Sequence, residues 1–265
     1  MTQPQLHLGD LRIEVTSTEP SEALERWFNS FAGQRRCDQS IKIFHRHSEQ
    51  LYRPDGGGHL ALLERRVVAP DRLEVVTYRH PRVAQRWSVP QQQCVALLAA
   101  YAYASQKTDW RVLHGAGCAS FLNQGLLVLG HSGAGKSTLV RRLGLEQLGD
   151  EVIRIGLTEQ RAWLQGTPVP GELKADHLKT LGLEAMIVPG HKKGDAVLER
   201  LSLIEATHIL LSAAIRLSDQ EMGDDLSWTK RVLGVVPMYR LSWDPSKILD
   251  VQALISRIDP CSPGS

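Results

Sequence analysis

The residues of this chain with the clearest chemistry are eight consecutive positions, Gly130-His131-Ser132-Gly133-Ala134-Gly135-Lys136-Ser137, followed by Thr138. They fit the pattern G-x-x-x-x-G-K-[ST], in which the backbone N–H groups of a glycine-rich turn surround nucleotide phosphates. Glycines allow this because a Cβ would crowd the phosphate. The sequence therefore predicts a binding loop for ATP or GTP, formed by Gly130, Ser132, Gly133, Ala134, Gly135, Lys136, Ser137 and Thr138.

Within that loop two side chains have distinct expected roles. Lys136 would reach the β- and γ-phosphates, and the Ser137 hydroxyl would bind Mg²⁺. The stretch 125–129 before the loop predicts a buried strand, and 139–143 behind it predicts an amphipathic helix. The positive end of that helix would point at the same phosphates.

A phosphate loop does not say what is done with the phosphate, so the next question is which acid assists it. The apolar run 207–211 predicts a later strand, but Ser212, Ala213 and Ala214 follow it without a carboxylate. The nearer pair is Asp150-Glu151, predicted to lie just beyond the helix of the loop. Two carboxylates there could divide the work, one holding the metal and one taking a proton from an attacking hydroxyl.

The succession of His114-Gly115, the glycine-rich loop and Asp150-Glu151 resembles the catalytic domain of HPr kinase/phosphorylase and related kinases. The resemblance implies an α/β fold whose P-loop core is related to phosphoenolpyruvate carboxykinase. It also implies phosphorylation of a protein serine by Mg-ATP, and a homo-oligomer. In that scheme Ser137 and Asp150 hold the metal, Asp150 acts as the base or the metal ligand, and His114 tunes its protonation.

Two departures from the family pattern limit what the resemblance implies. Glu151 stands where the family has a second Asp, which leaves the division of labour between Asp150 and Glu151 open. The family's Glu-x-Arg-Gly-Leu-Gly segment is missing, since 166–174 reads Gly-Thr-Pro-Val-Pro-Gly-Glu-Leu-Lys. We therefore expect a kinase without phosphorylase activity, acting on a protein or peptide other than HPr. A small-molecule kinase on the same core and a non-catalytic nucleotide-dependent switch are the alternatives.

The rest of the chain predicts a domain division. Residues 1–108 are expected to form a smaller β-rich region for substrate or partner recognition, and 109–265 the P-loop kinase domain. Strands are predicted at 11–15, 41–44, 73–78, 110–113, 152–155 and 240–243, helices at 21–31, 91–105 and 247–258, and loops at 166–171 and 190–195.

The amino-acid composition limits the kinds of partner to be expected. Lys and Arg number 31 against 29 Asp and Glu, a balance that favours neither a nucleic-acid nor a membrane-surface partner. No apolar run is long enough for a membrane span, and no signal peptide is evident. The scattered Cys37, Cys94, Cys118 and Cys261 are typical of reduced thiols. We expect a cytoplasmic protein.

Overall fold

The computed structural model divides the chain into two compact units, residues 1–108 with 215–221, and residues 109–214 with 222–265. The described residues are 5–8, 11–17, 39–51, 63–69, 72–79, 98, 102–103, 105, 108–120, 122–167, 179–191, 194–215, 222–244, 246–247 and 249–258. In the described part of the chain, no helix combines the length and apolar character needed to cross a membrane.

The first unit contains a five-stranded sheet in the order β1-β2-β3-β5-β4. Its strands are β1 (Gln5–Leu8), β2 (Leu11–Ser17), β3 (Gln39–Leu51), β4 (Leu63–Ala69) and β5 (Arg72–Arg79). The central pairs β2–β3 and β3–β5 are parallel, and the outer pairs are antiparallel. The strands predicted at 11–15, 41–44 and 73–78 are thereby confirmed. The predicted helix 21–31 lies outside the described residues, as does most of 91–105.

The second unit is a mixed α/β body around a nine-stranded sheet, in the order β6-β10-β11-β12-β8-β7-β9 with β14 beside β12 and β13 beside β14. Its strands are β6 (Trp110–His114), β7 (Ala116–Ala119), β8 (Gly125–Val128), β9 (Glu146–Gly149), β10 (Val152–Leu157), β11 (Ala162–Gly166), β12 (Thr180–His191), β13 (Val197–Arg200) and β14 (Met238–Trp243). Its helices are α1 (Lys136–Leu143), α2 (Leu203–Ala213), α3 (Met222–Val235) and α4 (Val251–Ile255).

Three neighbouring strands of this sheet run parallel and organise the site. β12 pairs in parallel with β8 on one side and with β14 on the other. Their carboxyl ends therefore meet at one edge, where ligands of open α/β sheets usually bind. β12 continues beyond the end of β8, so its last residues, Pro189 to His191, pair with Leu241 to Trp243 of β14 alone.

β8 is buried along its whole length, which explains why it is an apolar run rather than an alternating strand, and β10 is equally buried but includes Arg154. One face, with Leu113, Ile153 and Leu164, packs in a core cluster that includes Leu210 of α2 and Val232 of α3. The other face carries a second cluster, which includes Leu126, Val128, Leu139, Leu143, Ile187, Trp243 and Leu254. Helices therefore contribute to both core clusters, α2 and α3 to the first and α1 and α4 to the second.

The strand β6, which carries His114, is fixed at its other end by α3. Arg111 Nε donates to Asp225 Oδ1 at 2.9 Å, and Asp225 is buried. Trp228 Nε1 donates to the carbonyl oxygen of Asp109 at 3.1 Å. Because this end of β6 is tied to a helix by paired charges and a buried indole, the position of His114 is set by the core.

The structure corrects the strand predicted at 207–211, which lies within α2. The helix starts with a capping box: Glu205 N donates to Ser202 Oγ at 3.3 Å, and Ser202 N donates to Glu205 Oε2 at 3.4 Å. The buried positions Ala206, Leu210 and Ala213 follow at helical spacing. A short apolar run fits either element, and the cap upstream decides for the helix.

One helix boundary and one additional strand also differ from the predictions. The closing helix predicted over 247–258 is confined to Val251–Ile255, because Asp250 caps its start by accepting from Ala253 N at 3.0 Å. The strand β9 was not predicted, so Asp150 follows a strand rather than the helix α1 directly. The strands predicted at 110–113, 152–155 and 240–243 are confirmed as β6, β10 and β14.

Candidate functional site

The glycine-rich segment leaves the end of β8 as a tight loop and enters α1. Leu129 N still donates to the carbonyl oxygen of Ile187 at 2.9 Å, so the loop starts while held to β12. Gly130, Gly133 and Gly135 have φ values of +150°, +78° and +89°. Side-chain-bearing residues rarely adopt this region, so the backbone itself requires glycine at these three positions.

Lys136, the first residue of α1, turns back into the loop and is only 7% exposed. Its Nζ donates to the carbonyl oxygens of Gly130 and His131, each at 3.1 Å. Burial lowers the pKa of Lys136 below its usual 10.5, and the negative charges of Glu151 and Asp150 oppose that shift. The ammonium thus lies within the loop and in the field of both carboxylates.

Asp150 lies against the first turn of α1. It follows β9, and its carboxylate Oδ2 accepts a hydrogen bond from Ser137 Oγ at 3.2 Å. Only 2% of Asp150 is exposed. The antiparallel pairing of Gly149 with Gly117 of β7, next to β8, brings the end of β9 to this place. The predicted metal-binding pair, Ser137 and Asp150, is therefore brought together.

Glu151 and His114 form a second pair beside Asp150. His114 Nε2 lies 3.4 Å from Glu151 Oε2, and the two side chains are 36% and 49% exposed. The backbone adds a link, since Gly115 N donates to the carbonyl oxygen of Glu151 at 3.3 Å. A Cβ on Gly115 would lie 3.1 Å from the carbonyl oxygen of Val128, so glycine lets this corner approach β8 closely. We call Asp150, Glu151 and His114 the acidic flank of the loop.

The remaining predicted residues lie on the outer side of the loop. Ser132, Gly133 and Thr138 are exposed, while Ala134 and Gly135 are half-buried. Ala134 N donates to the carbonyl oxygen of His131 at 3.1 Å, which closes the turn. The residues of the predicted nucleotide loop thus form one continuous segment, from the turn after β8 into the first turn of α1.

The residues on the other side of the loop were not predicted from the sequence. The segment 190–195 was predicted as a loop, yet Gly190 and His191 are the last residues of β12. The exposed His191 imidazole has its Cε1 4.0 Å from where a Cβ on Gly135 would be. Its ring centroid lies 5.7 Å from that of Trp243, at the end of β14, with the planes tilted by 43°. We call His191 and Trp243 the ring flank.

Comparison with known proteins yields little. No protein-family model matches the chain, and no curated protein matches it. Among solved structures it is similar to the Hpr(Ser) kinase/phosphatase from Coxiella burnetii. That likeness has a TM-score of 0.31 and 12% identity, and it covers 56% of this chain and 93% of that one. At this score it establishes neither a family nor a function, and the mixed α/β fold stands on the described residues themselves.

Proposed function

We propose that the chain is an ATP-dependent kinase of the HPr-kinase-related type, without phosphorylase activity. It would transfer the γ-phosphate of Mg-ATP to a hydroxyl, that of a serine, on a protein or peptide. One observation carries the proposal: Lys136, Ser137 and Asp150 converge on a single glycine-rich turn, with Ser137 Oγ 3.2 Å from Asp150 Oδ2. Phosphoryl transfer needs chiefly positioning and charge compensation, which such a cluster supplies.

The phosphates are held by the loop and the start of α1. Successive backbone N–H groups and the positive end of a helix attract anions. The Lys136 ammonium, which here donates to two loop carbonyls, can donate to phosphate oxygens from the same position. The role of these residues is to bind and orient the β- and γ-phosphates.

The metal fits the donor set at Ser137 and Asp150. Among the described residues there is no group of three or more His, Cys, Asp or Glu that could hold a metal ion by protein ligands alone. Mg²⁺ commonly takes one or two carboxylates and completes its shell with water and substrate phosphates. When bound it would supply charge neutralisation at the β- and γ-phosphate oxygens.

Glu151 is the better placed of the two carboxylates to take the proton. Asp150 is buried and accepts from Ser137, whereas Glu151 is 49% exposed and within reach of an acceptor. The acceptor oxygen attacks Pγ, the bond from Pγ to the β-bridging oxygen breaks, and ADP leaves. The hydroxyl proton passes to the Glu151 carboxylate, which His114 orients from 3.4 Å.

The experiment that tests this function labels a lysate of the source cells with γ-labelled ATP and Mg²⁺. Wild type is run beside Asp150→Asn, and the products are separated by size. A protein or peptide labelled by wild type alone is the expected result and identifies the acceptor. Label confined to small molecules would indicate a metabolite kinase, and no label despite bound ATP would indicate a nucleotide switch. Either of these two results would overturn the proposal.

A further inference from the structure

The ring flank takes no part in the proposed phosphate transfer, yet it lies directly beside the loop. His191 ends β12 and Trp243 ends β14, and both strands run parallel to β8. His191 is exposed, whereas Trp243 is 2% exposed and belongs to the core beneath α1 and α4. The His191 imidazole is therefore exposed to solvent, and it lies next to an indole that is held in the core.

The strand pairings place Asp150 and the ring flank on opposite sides of the loop. β8 lies between β7 and β12. Asp150 follows β9, which pairs with β7, and so reaches the loop from that side, whereas the ring flank ends β12 and β14 on the other side. In the proposed function the γ-phosphate of ATP lies at Asp150. The nucleoside, at the other end of the triphosphate, then lies on the far side of the loop from that carboxylate. This places the nucleoside over the carboxyl ends of β12 and β14.

We propose that the ring flank is the nucleoside subsite, in which the His191 imidazole stacks on a purine base. Trp243 is a positioning residue that holds the imidazole. A stacking contact suits an exposed ring next to an anion-binding turn, because every base offers a π-face and a purine offers the larger one. This inference rests on the proposed function for the placement of the γ-phosphate.

The test compares a ligand that carries a base with one that does not. Dissociation constants of ATP and inorganic tripolyphosphate are measured for wild type, His191→Ala and His191→Phe. His208→Ala, an exposed histidine on α2, is the matched control. We expect His191→Ala to weaken ATP binding about tenfold and to leave tripolyphosphate binding unchanged. His191→Phe, which keeps a ring, should restore the affinity for ATP.

Different outcomes separate this inference from the proposed function. If ATP affinity is unchanged in His191→Ala, or if tripolyphosphate affinity falls equally, His191 does not hold the base and the inference is wrong. If wild type binds tripolyphosphate and ATP with the same affinity, the base is not recognised and the inference alone fails. If wild type binds neither, the proposed function fails and the inference fails with it.

Discussion

The acidic flank and the ring flank border the same loop but are built in different ways. Asp150 and Glu151 lie on a turn between β9 and β10, close to the loop in sequence, and His114 is joined to them through a neighbouring strand. His191 and Trp243 come from the ends of two parallel strands that follow much later in the chain. In the proposed function the acidic flank supplies the charges that act on a phosphate, and in the further proposal the ring flank offers a surface to the base. If both proposals hold, phosphate transfer and nucleoside binding should be separable by mutation.

The largest effect that would sharpen this comparison is expected at Glu151. Glu151→Gln keeps the size of the side chain but cannot take the acceptor proton. Phosphate transfer should therefore fall by about 10²- to 10⁴-fold, while the affinity for ATP stays within about twofold of wild type. Rates and dissociation constants are measured on the same preparations, with Glu199→Gln on β13 as the control. A large loss of affinity with little loss of rate would place Glu151 in binding and erase the distinction between the flanks.

The second prediction concerns the highest pH at which the protein binds ATP. Lys136, which lies in the loop between the two flanks, is expected to set that limit. Burial lowers the pKa of this lysine below its usual 10.5, so phosphate affinity should fall as the pH rises through the lowered pKa. Lys136→Arg keeps its charge to higher pH and should hold ATP over a wider alkaline range. ATP affinity is measured from pH 7 to 10. Above the pKa of Lys136 it should fall about tenfold for each pH unit. A decline at the same pH in both proteins would mean that another group titrates.

The third prediction separates crowding from backbone strain in the loop. A Cβ on Gly130 would lie 3.0 Å from Ala134 Cβ, whereas a Cβ on Gly133 meets nothing within 4 Å, although both glycines have positive φ. Gly130→Ala should weaken ATP binding about tenfold, and Gly133→Ala about fivefold from strain alone. Gly234→Ala on α3, with open space around its Cβ and no positive φ, serves as the control. Equal losses in both loop variants would argue against the crowding at Ala134.

The smallest effect is expected at Glu184, near the start of the parallel pairing of β8 with β12. Desolvation raises the pKa of Glu184 above 4.5, so the folded protein carries this carboxylate at a cost at neutral pH. With its amide nitrogen facing the carboxylate, Gln124 donates to the two oxygens at 2.7 and 2.8 Å. Glu184→Gln should raise the midpoint of thermal unfolding by about 1 or 2 °C at pH 7.

That gain has a defined pH dependence, which serves as its control. The native carboxyl is protonated at low pH, so the difference between the two proteins should vanish as the pH falls below about 4.5, the ordinary value for a free glutamate. ATP affinity should be unchanged throughout. A midpoint that drops at neutral pH would show that the Gln124 contact outweighs the desolvation.

The loop could be predicted from the sequence because its residues are consecutive and their types are dictated locally, whereas the acidic flank was predicted from its spacing and from a family resemblance. Positive φ at Gly130, Gly133 and Gly135 requires glycine, and that requirement is visible as a spacing. His114-Gly115 is informative for a similar reason, since the glycine permits the approach to Val128. The roles of these residues stay predictions, whereas their arrangement around one turn is now described.

The ring flank could not be predicted in the same way. His191 meets Gly135 only because β12 lies beside β8 in the sheet, and no local pattern records which strands become neighbours. The error at 207–211 has a related cause, since an apolar run shows burial without showing the element. The signal that could have placed it was Ser202 with Glu205 three residues later, a helix start. The ring flank was thus missed because strand pairing is non-local, and the element at 207–211 was wrong because a short apolar run fits both a strand and a helix.

The central claim is that one loop binds the nucleotide while the acidic flank transfers its phosphate. It is tested most directly by measuring ATP affinity and phosphate transfer in Lys136→Ala and Asp150→Asn beside wild type. The account predicts that Lys136→Ala loses affinity, because the buried ammonium that faces the phosphates is removed. It predicts that Asp150→Asn still binds ATP and no longer transfers phosphate. Transfer at the wild-type rate in Asp150→Asn, or loss of ATP binding in both variants alike, would contradict it.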